Sequence, residues 1–246
     1  MTKEISKRQA RREQIRRKDM RNRLLGIGLI SIVAILVAFL IIYPNFKPVG
    51  DISTAPEMTR SQVKFNAAGN PDAPIRIDEY SDFQCPYCRI FFEETESQIM
   101  ESYVADGTVY FVYNSFGDFI GPESAAAAEA AYCAGDQEKF WEMHDIIFAN
   151  QTGENVGNYT DRRLSAFAEK IGLDMDQFNS CYNGGDHRDR VNQDAKNATI
   201  AGIKATPSFV LTYTVNGEPK TRLIEGAQGY DAFKLEIDAA LAEIGQ

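Results

Sequence analysis

The stretch "DFQCPYCRIFF", residues 82–92, sets two cysteines three positions apart, with a proline between them and aromatics on both sides. The chain of 246 residues holds only four cysteines, so half of them lie here. Such a pair can hold zinc, sit reduced in a core, close a disulfide or exchange electrons. The flanking residues begin to narrow the choice. "IRIDEY", 75–80, alternates apolar and polar positions and is expected to be a strand. "RIFFEETESQIMESYVA", directly after the pair, has helical spacing, with Ile90, Phe91, Glu94 and Gln98 expected on related faces. The pair is therefore expected at a strand-to-helix turn. Cys85 would stand at the helix N-terminus and Pro86 at the first helical position, where its missing N–H costs nothing.

Which chemistry the pair performs depends on its compartment. Residues 1–23 carry a net charge of +7, while the other 223 residues carry −16. Between them, Leu24 to Tyr43 reads "LLGIGLISIVAILVAFLIIY", twenty residues without charge or proline. At about 1.5 Å per residue this helix would span roughly 30 Å, the hydrocarbon thickness of a bilayer. A buried core helix usually carries a polar stripe, which this run lacks. A cleaved signal peptide has a shorter apolar region ending in a small-x-small site, so an uncleaved signal-anchor is expected. The basic segment 1–23 then stays cytoplasmic, and the rest lies outside. Topology and anionic lipid account for that segment, so it calls for no nucleic acid. All four cysteines fall on the extracytoplasmic side, where disulfides persist.

Residues 44–62 contain three prolines and few apolar positions, and are expected to tether the span to a domain at 63–246. "TVYFVYNSF", 108–116, reads as a second strand. From about 121 to 202 the pattern is helical, with Pro122 near a helix start, Thr160 as an N-cap and Gly172 as a stop. "TPSFVLTYTVNGEPKTRLIEG" then gives two strands around an "NG" hairpin signal, and "YDAFKLEIDAALAEI" a closing amphipathic helix. The order is βαβ, a helical insertion of about 80 residues, then ββα: an α/β unit with an inserted helical subdomain.

A cysteine attacks only as thiolate. Cys85, at a helix N-terminus, has the better setting for an anion. Cys88, one turn in, can close a disulfide with it. Glu79 shares a strand face with Ile75 and Ile77. Pointing beneath the pair, its carboxyl would be raised by desolvation and could relay a proton to or from Cys88. The other reading is an exposed strand-end carboxylate, and spacing alone does not separate the two. Cys133 and Cys181 lie in the helical insertion. They suit a second relay or, the expectation here, a structural disulfide, which would stabilise the fold by about 4 kcal/mol in the chain-entropy model. His144 and Trp141 are expected to pack rather than bind. No second ligand pair is spaced for zinc near Cys85, so no metal is expected.

The pattern resembles the DsbA-like branch of the thioredoxin superfamily, in its membrane-anchored bacterial form. CPYC after "IDEYSDF", a long insertion, "ATPSF", a hairpin and a final helix come in the same order over about residues 63–244. The resemblance implies a thiol–disulfide oxidoreductase without a cofactor. Cys85 corresponds to the attacking surface cysteine, Cys88 to the resolving one and Glu79 to a buried acid beneath them. Pro207 corresponds to a cis-proline facing the pair, with Thr206 before it on the substrate backbone and Pro86 and Tyr87 beside it. Tyr87 stands where the best-known DsbA has a histidine, which implies a milder oxidant. The partners implied are reduced exported proteins and a regenerating membrane oxidase of the DsbB or vitamin-K-epoxide-reductase type. Two alternatives stay open: a reductase of the same fold, and a membrane-tethered binding module without redox turnover.

Overall fold

The alternation at 75–80 forms a strand in the computed structural model, which describes residues 7–43 and 49–245. The start of the basic segment at 1–6, the start of the tether at 44–48 and Gln246 lie outside the described residues. The chain divides after Gly50 into two units.

The first unit is one helix, α1 (Lys7–Ile42), which takes in much of the basic segment as well as the apolar run. Its stretch Arg11–Leu40 is long and apolar enough to cross a membrane. Leu25, Leu29, Ile30, Ile35 and Leu40 on it are exposed, as a lipid-facing helix requires.

The second unit is built on a five-stranded sheet in the order β1–β3–β2–β4–β5. The strands are β1 (Ala67–Ala68), β2 (Ile75–Ser81), β3 (Val109–Ser115), β4 (Ser208–Val215) and β5 (Glu218–Glu225). β2 and β3 are parallel, and the other pairs are antiparallel. Asn216 and Gly217, with φ of 52° and 84°, both take the left-handed conformation that lets a two-residue turn follow the twist of β4 and β5.

The β2–β3 crossover starts as α2 (Pro86–Phe91) and passes through a π-helical turn, Phe92–Glu96. It continues as α3 (Ser97–Ile99) and a second π-helical turn, Met100–Val104. A π turn holds an extra residue and so rotates the helix beyond it about its axis. Of the four residues expected on related faces, Ile90, Glu94 and Gln98 share the exposed side, while Phe91 is buried with Phe92, Thr95, Glu96, Ile99 and Met100. The insertion comprises α4 (Pro122–Gly135), α5 (Phe140–Ala149), α6 (Asp161–Lys170), α7 (Met175–Gly184) and α8 (Arg188–Ile200). α7 is capped by Asp174, whose carboxylate accepts from the backbone N–H of Asp176 and Gln177. The chain ends with α9 (Tyr230–Ile244).

Strand register sets which side chains share the buried face. Ile77, Phe111 and Leu211 form one row, and Glu79, Tyr113 and Phe209 the next. Phe209 packs against Phe91 and Phe233 of α9, at ring separations of 4.4 and 4.8 Å. Tyr113 packs against Phe83, Phe140 and His144. A glutamate thus sits inside a face otherwise made of aromatic and aliphatic groups.

Residues 51–62, read as tether, fold onto this unit. The backbone of Ser53 pairs with the side chain of Asn150 through bonds of 2.9 and 2.8 Å. The Gly69 N–H donates to Ser61 at 2.7 Å. Arg60 reaches inward to Glu96 and Asp145, at 2.8 and 2.7 Å. The folded unit therefore begins near Asp51, some twelve residues before the boundary read from composition.

Candidate active site

β2 ends at Ser81, and the turn after it is held by its own polar groups. The Asp82 carboxylate accepts from the backbone N–H of Gln84 at 2.8 Å and of Ile120 at 3.1 Å. The Asp82 carbonyl accepts from the Cys85 N–H at 2.9 Å. Cys85 is the N-cap of α2, in extended conformation, with Pro86 at the first helical position. The insertion braces the turn from outside. The Gln151 amide donates to the carbonyls of Phe83 and Cys85 at 2.7 and 2.9 Å, and the Tyr159 hydroxyl donates to Phe83 at 3.0 Å.

Cys85 and Cys88 are free thiols here. Cys85 is the more accessible, yet only 5% exposed, so the "surface" cysteine is reached along a narrow approach, whereas Cys88 has no exposure. The Cys85 thiol donates to the Thr206 carbonyl at 3.3 Å, which brings β4's entry against the pair. The Thr206–Pro207 peptide bond is cis. Pro86 and Tyr87 are exposed beside Cys85, Tyr87 by 62%.

The two thiols differ in acidity. Cys85 is lowered from 9.0 to about 6, first by a hydrogen bond from the Cys88 thiol. Thr206 and the N–H groups of Cys88 and Tyr87 add to this against an opposing effect of burial. Cys88 is pushed well above the usual thiol value, mainly by burial and then by its bond to Cys85. The Asp82 N–H, 3.5 Å from the Cys88 sulfur, pulls the other way. One thiol is thus a ready nucleophile and good leaving group; the other holds its proton.

Glu79, on β2 six residues before Cys85, is 1% exposed. Burial, and then the charge of Glu96, push its carboxyl well above the carboxylate range, while the nearby Ser81 hydroxyl and the charge of Arg60 oppose them. Of the residues that sequence reasoning named, Cys85 and Cys88 lie on one helical turn, Cys85 meets Thr206 at the cis Thr206–Pro207 bond, and Glu79 is buried on β2. That reasoning passed over Asp82, Gln151 and Tyr159, which fix the turn, and Glu96 and Arg60, which set the charge below it. "SDF" before the cysteines is a usable turn signal for Asp82. The others act across the chain and leave no local pattern.

Cys133 and Cys181 are joined to each other, with a Cα–Cα distance of 5.9 Å, linking α4 to α7. His144 is fully buried among Phe83, Phe92, Tyr113 and Trp141, with Nδ1 2.8 Å from Asp145.

A thioredoxin family model matches residues 62–238. The chain belongs to the thioredoxin family. Among its relatives, probable disulfide bond formation protein D of Bacillus cereus is 29% identical over 225 residues, covering 89% of this chain and 98% of that protein. Na(+)/H(+) antiporter NhaA 1 of Salinispora arenicola is 31% identical over 175 residues. That match takes in 71% of this chain but 24% of the antiporter, so the chain spans about a quarter of that relative. The structure of oxidised BdbD from Bacillus subtilis superposes with a TM-score of 0.63 at 22% identity, over 77% of this chain and 100% of that one. The likeness is one of fold, and the fold is DsbA-like.

Proposed function

We propose that the chain is a membrane-anchored, extracytoplasmic thiol–disulfide oxidoreductase that introduces disulfides into exported proteins through Cys85 and Cys88. The reading rests on the opposed acidities of two thiols one helical turn apart, with Cys85 lying against Thr206 and cis-Pro207.

In the oxidised enzyme, a client thiolate attacks Cys85 of the Cys85–Cys88 disulfide. The S–S bond breaks, a Cys85–client disulfide forms and Cys88 leaves as thiolate. Glu79, holding its proton, transfers it to the Cys88 sulfur. A second client thiolate then attacks the client sulfur of the mixed disulfide. Cys85, with its pKa near 6, leaves as thiolate, and the client departs oxidised by two electrons. Thr206 and Pro207 position the client backbone, and Pro86 and Tyr87 form the exposed rim. A quinone-linked membrane oxidase of the DsbB or vitamin-K-epoxide-reductase type takes up the two electrons. Cys133–Cys181 is structural.

The deciding experiment equilibrates the detergent-solubilised chain with glutathione buffers and reads the Cys85–Cys88 potential. A value well above that of thioredoxin, about −270 mV, supports an oxidase; a value at or below it makes the chain a reductase. α1 anchors the chain with the basic segment inside. Protease added to cells with a permeabilised envelope then degrades the domain and spares the N-terminal arm; a protected domain would reverse the topology.

A further inference from the structure

The buried face beneath the cysteines holds more ionisable groups than the proton transfer above uses. Three buried carboxyls belong to it: Glu96 on the first π-helical turn and Asp145 on α5, joined through Arg60, and Glu79 on β2, which feels the charges of Glu96 and Arg60. One guanidinium answers them. Arg60 comes in from the segment before β1, with its side chain 4% exposed and its plane over Trp141 at 4.4 Å. Two of its N–H groups donate to Glu96 Oε1, at 3.1 and 2.8 Å, and two to the Asp145 carboxylate, at 2.9 and 2.7 Å. Asp145 also meets His144 Nδ1. Arg60 is thereby shared between two carboxylates and makes no bond to Glu79.

Two oxygens in this group are buried without a protein partner: Glu79 Oε2 and Glu96 Oε2. The polar groups that act on Glu79 are Ser81 from its own strand, Tyr113 from β3, Glu96 from the π turn and Arg60 from the lead-in. Its β4 neighbour, Phe209, is apolar. Of these, only Glu96 carries a negative charge while the thiols are protonated, and only Arg60 a positive one. In a low-dielectric interior two carboxylates so placed do not both stay ionised. Arg60 is bonded to Glu96 and not to Glu79, so the proton stays on Glu79.

We propose that Glu96 and Arg60 are positioning residues of the active site: Glu96 makes Glu79 retain its proton, and Arg60, by pairing with Glu96 and facing Glu79, limits how strongly. The proposal deepens the oxidoreductase reading and rests on it. Arg60 gives the segment before β1 a part in the redox chemistry, although it lies 25 residues before Cys85.

The test follows release of glutathione from a preformed Cys85–glutathione disulfide by Cys88, in the full chain, from pH 4 to pH 10. In this direction Glu79 must accept the Cys88 proton, so the rate rises as Glu79 ionises. Infrared absorption of the protonated carboxyl, assigned with Glu79→Gln, follows the same proton directly. Glu96→Gln removes the neighbouring charge at constant shape, and the midpoint of both curves is expected to fall by about one pH unit or more. In Glu96→Gln/Arg60→Met, both charges are gone and the midpoint is expected to return part of the way. A merely structural role predicts no such return, because the second substitution only adds damage. Removing the whole ion pair also guards against a single variant that fails to fold. Midpoints unmoved in Glu96→Gln, or moved further in the double variant, overturn the proposal. Should Glu79→Gln leave release unchanged at every pH, the acid role of Glu79 itself fails, a different result from failure of the tuning.

Discussion

Cys85 and Cys88 lie within one turn of one helix, while Cys133 and Cys181 lie 48 residues apart on α4 and α7. Both pairs are buried. The first pair is free, and its members face unlike surroundings: Cys85 meets the Thr206 carbonyl, and Cys88, fully buried, meets the Asp82 N–H. The second is bonded, across two helices, and its nearest buried neighbours along them are Tyr132 and Ala134 on α4 and Phe178 on α7. Burial alone therefore does not make a cysteine structural or reactive. What separates the pairs is whether the fold stabilises the two sulfurs differently. It does so at 85 and 88, where redox change needs little backbone movement, and the other bond closes a long loop.

The sharpest way to break the comparison is to remove one sulfur at a time. Cys85→Ser is expected to abolish turnover outright, since no client can be captured. Cys88→Ala is expected to abolish turnover as well, since no Cys85–Cys88 disulfide forms for a client to attack, and to retain a Cys85–glutathione disulfide made with oxidised glutathione, seen as a reducible adduct, because Cys88 is not there to release it. Adducts on Cys133 or Cys181 instead would place the reactive sulfur in the wrong pair.

The second pair is tested by its absence. Cys133→Ala/Cys181→Ala opens a loop of 48 residues, and the loss expected in chemical denaturation is about 4 kcal/mol in the chain-entropy model. Turnover per folded molecule is expected to stay within about twofold of the parent, because no step of the proposed reaction uses these sulfurs. Turnover that vanishes while the fold persists would turn the structural bridge into a relay.

This contrast was only partly readable in the sequence. β2, the turn with CPYC, the Asn216–Gly217 hairpin and the helical insertion follow from local period and turn chemistry, which residues close in sequence carry. β1 was missed because two alanines, Ala67 and Ala68, have no period; they are a strand only through pairing with β3. The two π turns of the crossover were missed because an extra residue per turn leaves the apolar spacing close to helical. Arg60 was hidden in a polar, proline-bearing stretch. Its partners lie 36 and 85 residues away, and an ion pair across that distance leaves no mark on neighbouring positions. The nucleophile was legible because its setting is local, and the charge beneath it was not because it is assembled by the tertiary fold.

A smaller effect sharpens the comparison through pH. Cys85 titrates at about 6 in the folded dithiol, against 9.0 for an ordinary cysteine. Between those values the unfolded chain holds a proton that the folded chain has released, so stability rises with pH. The contribution is complete above about pH 9 and is lost as pH falls through about 6. Subtracting the profile of Cys85→Ser from that of the reduced protein should leave this rising curve. The rate of Cys85 alkylation should turn on with a midpoint near pH 6. A flat difference and a midpoint near 9 would remove the asymmetry on which the reading of the first pair depends.

The smallest expected effect belongs to Glu79, and its sign is opposite. Burial and the charge of Glu96 raise its folded pKa well above 4.5. From 4.5 upward the unfolded chain loses this proton while the folded chain keeps it, so the contribution to stability falls as pH rises, until the folded carboxyl also ionises. Glu79→Gln keeps the shape and removes the titration. Its stability is expected to match the parent near pH 4 and to exceed it progressively toward neutral pH. Cys133→Ala/Cys181→Ala, by contrast, removes groups that do not titrate while bonded, so its profile should run parallel to the parent's, displaced downward. Parallel profiles for Glu79→Gln as well would mean that position 79 holds an ordinary ionised carboxylate. The proton that Cys88 needs would then have to come from elsewhere.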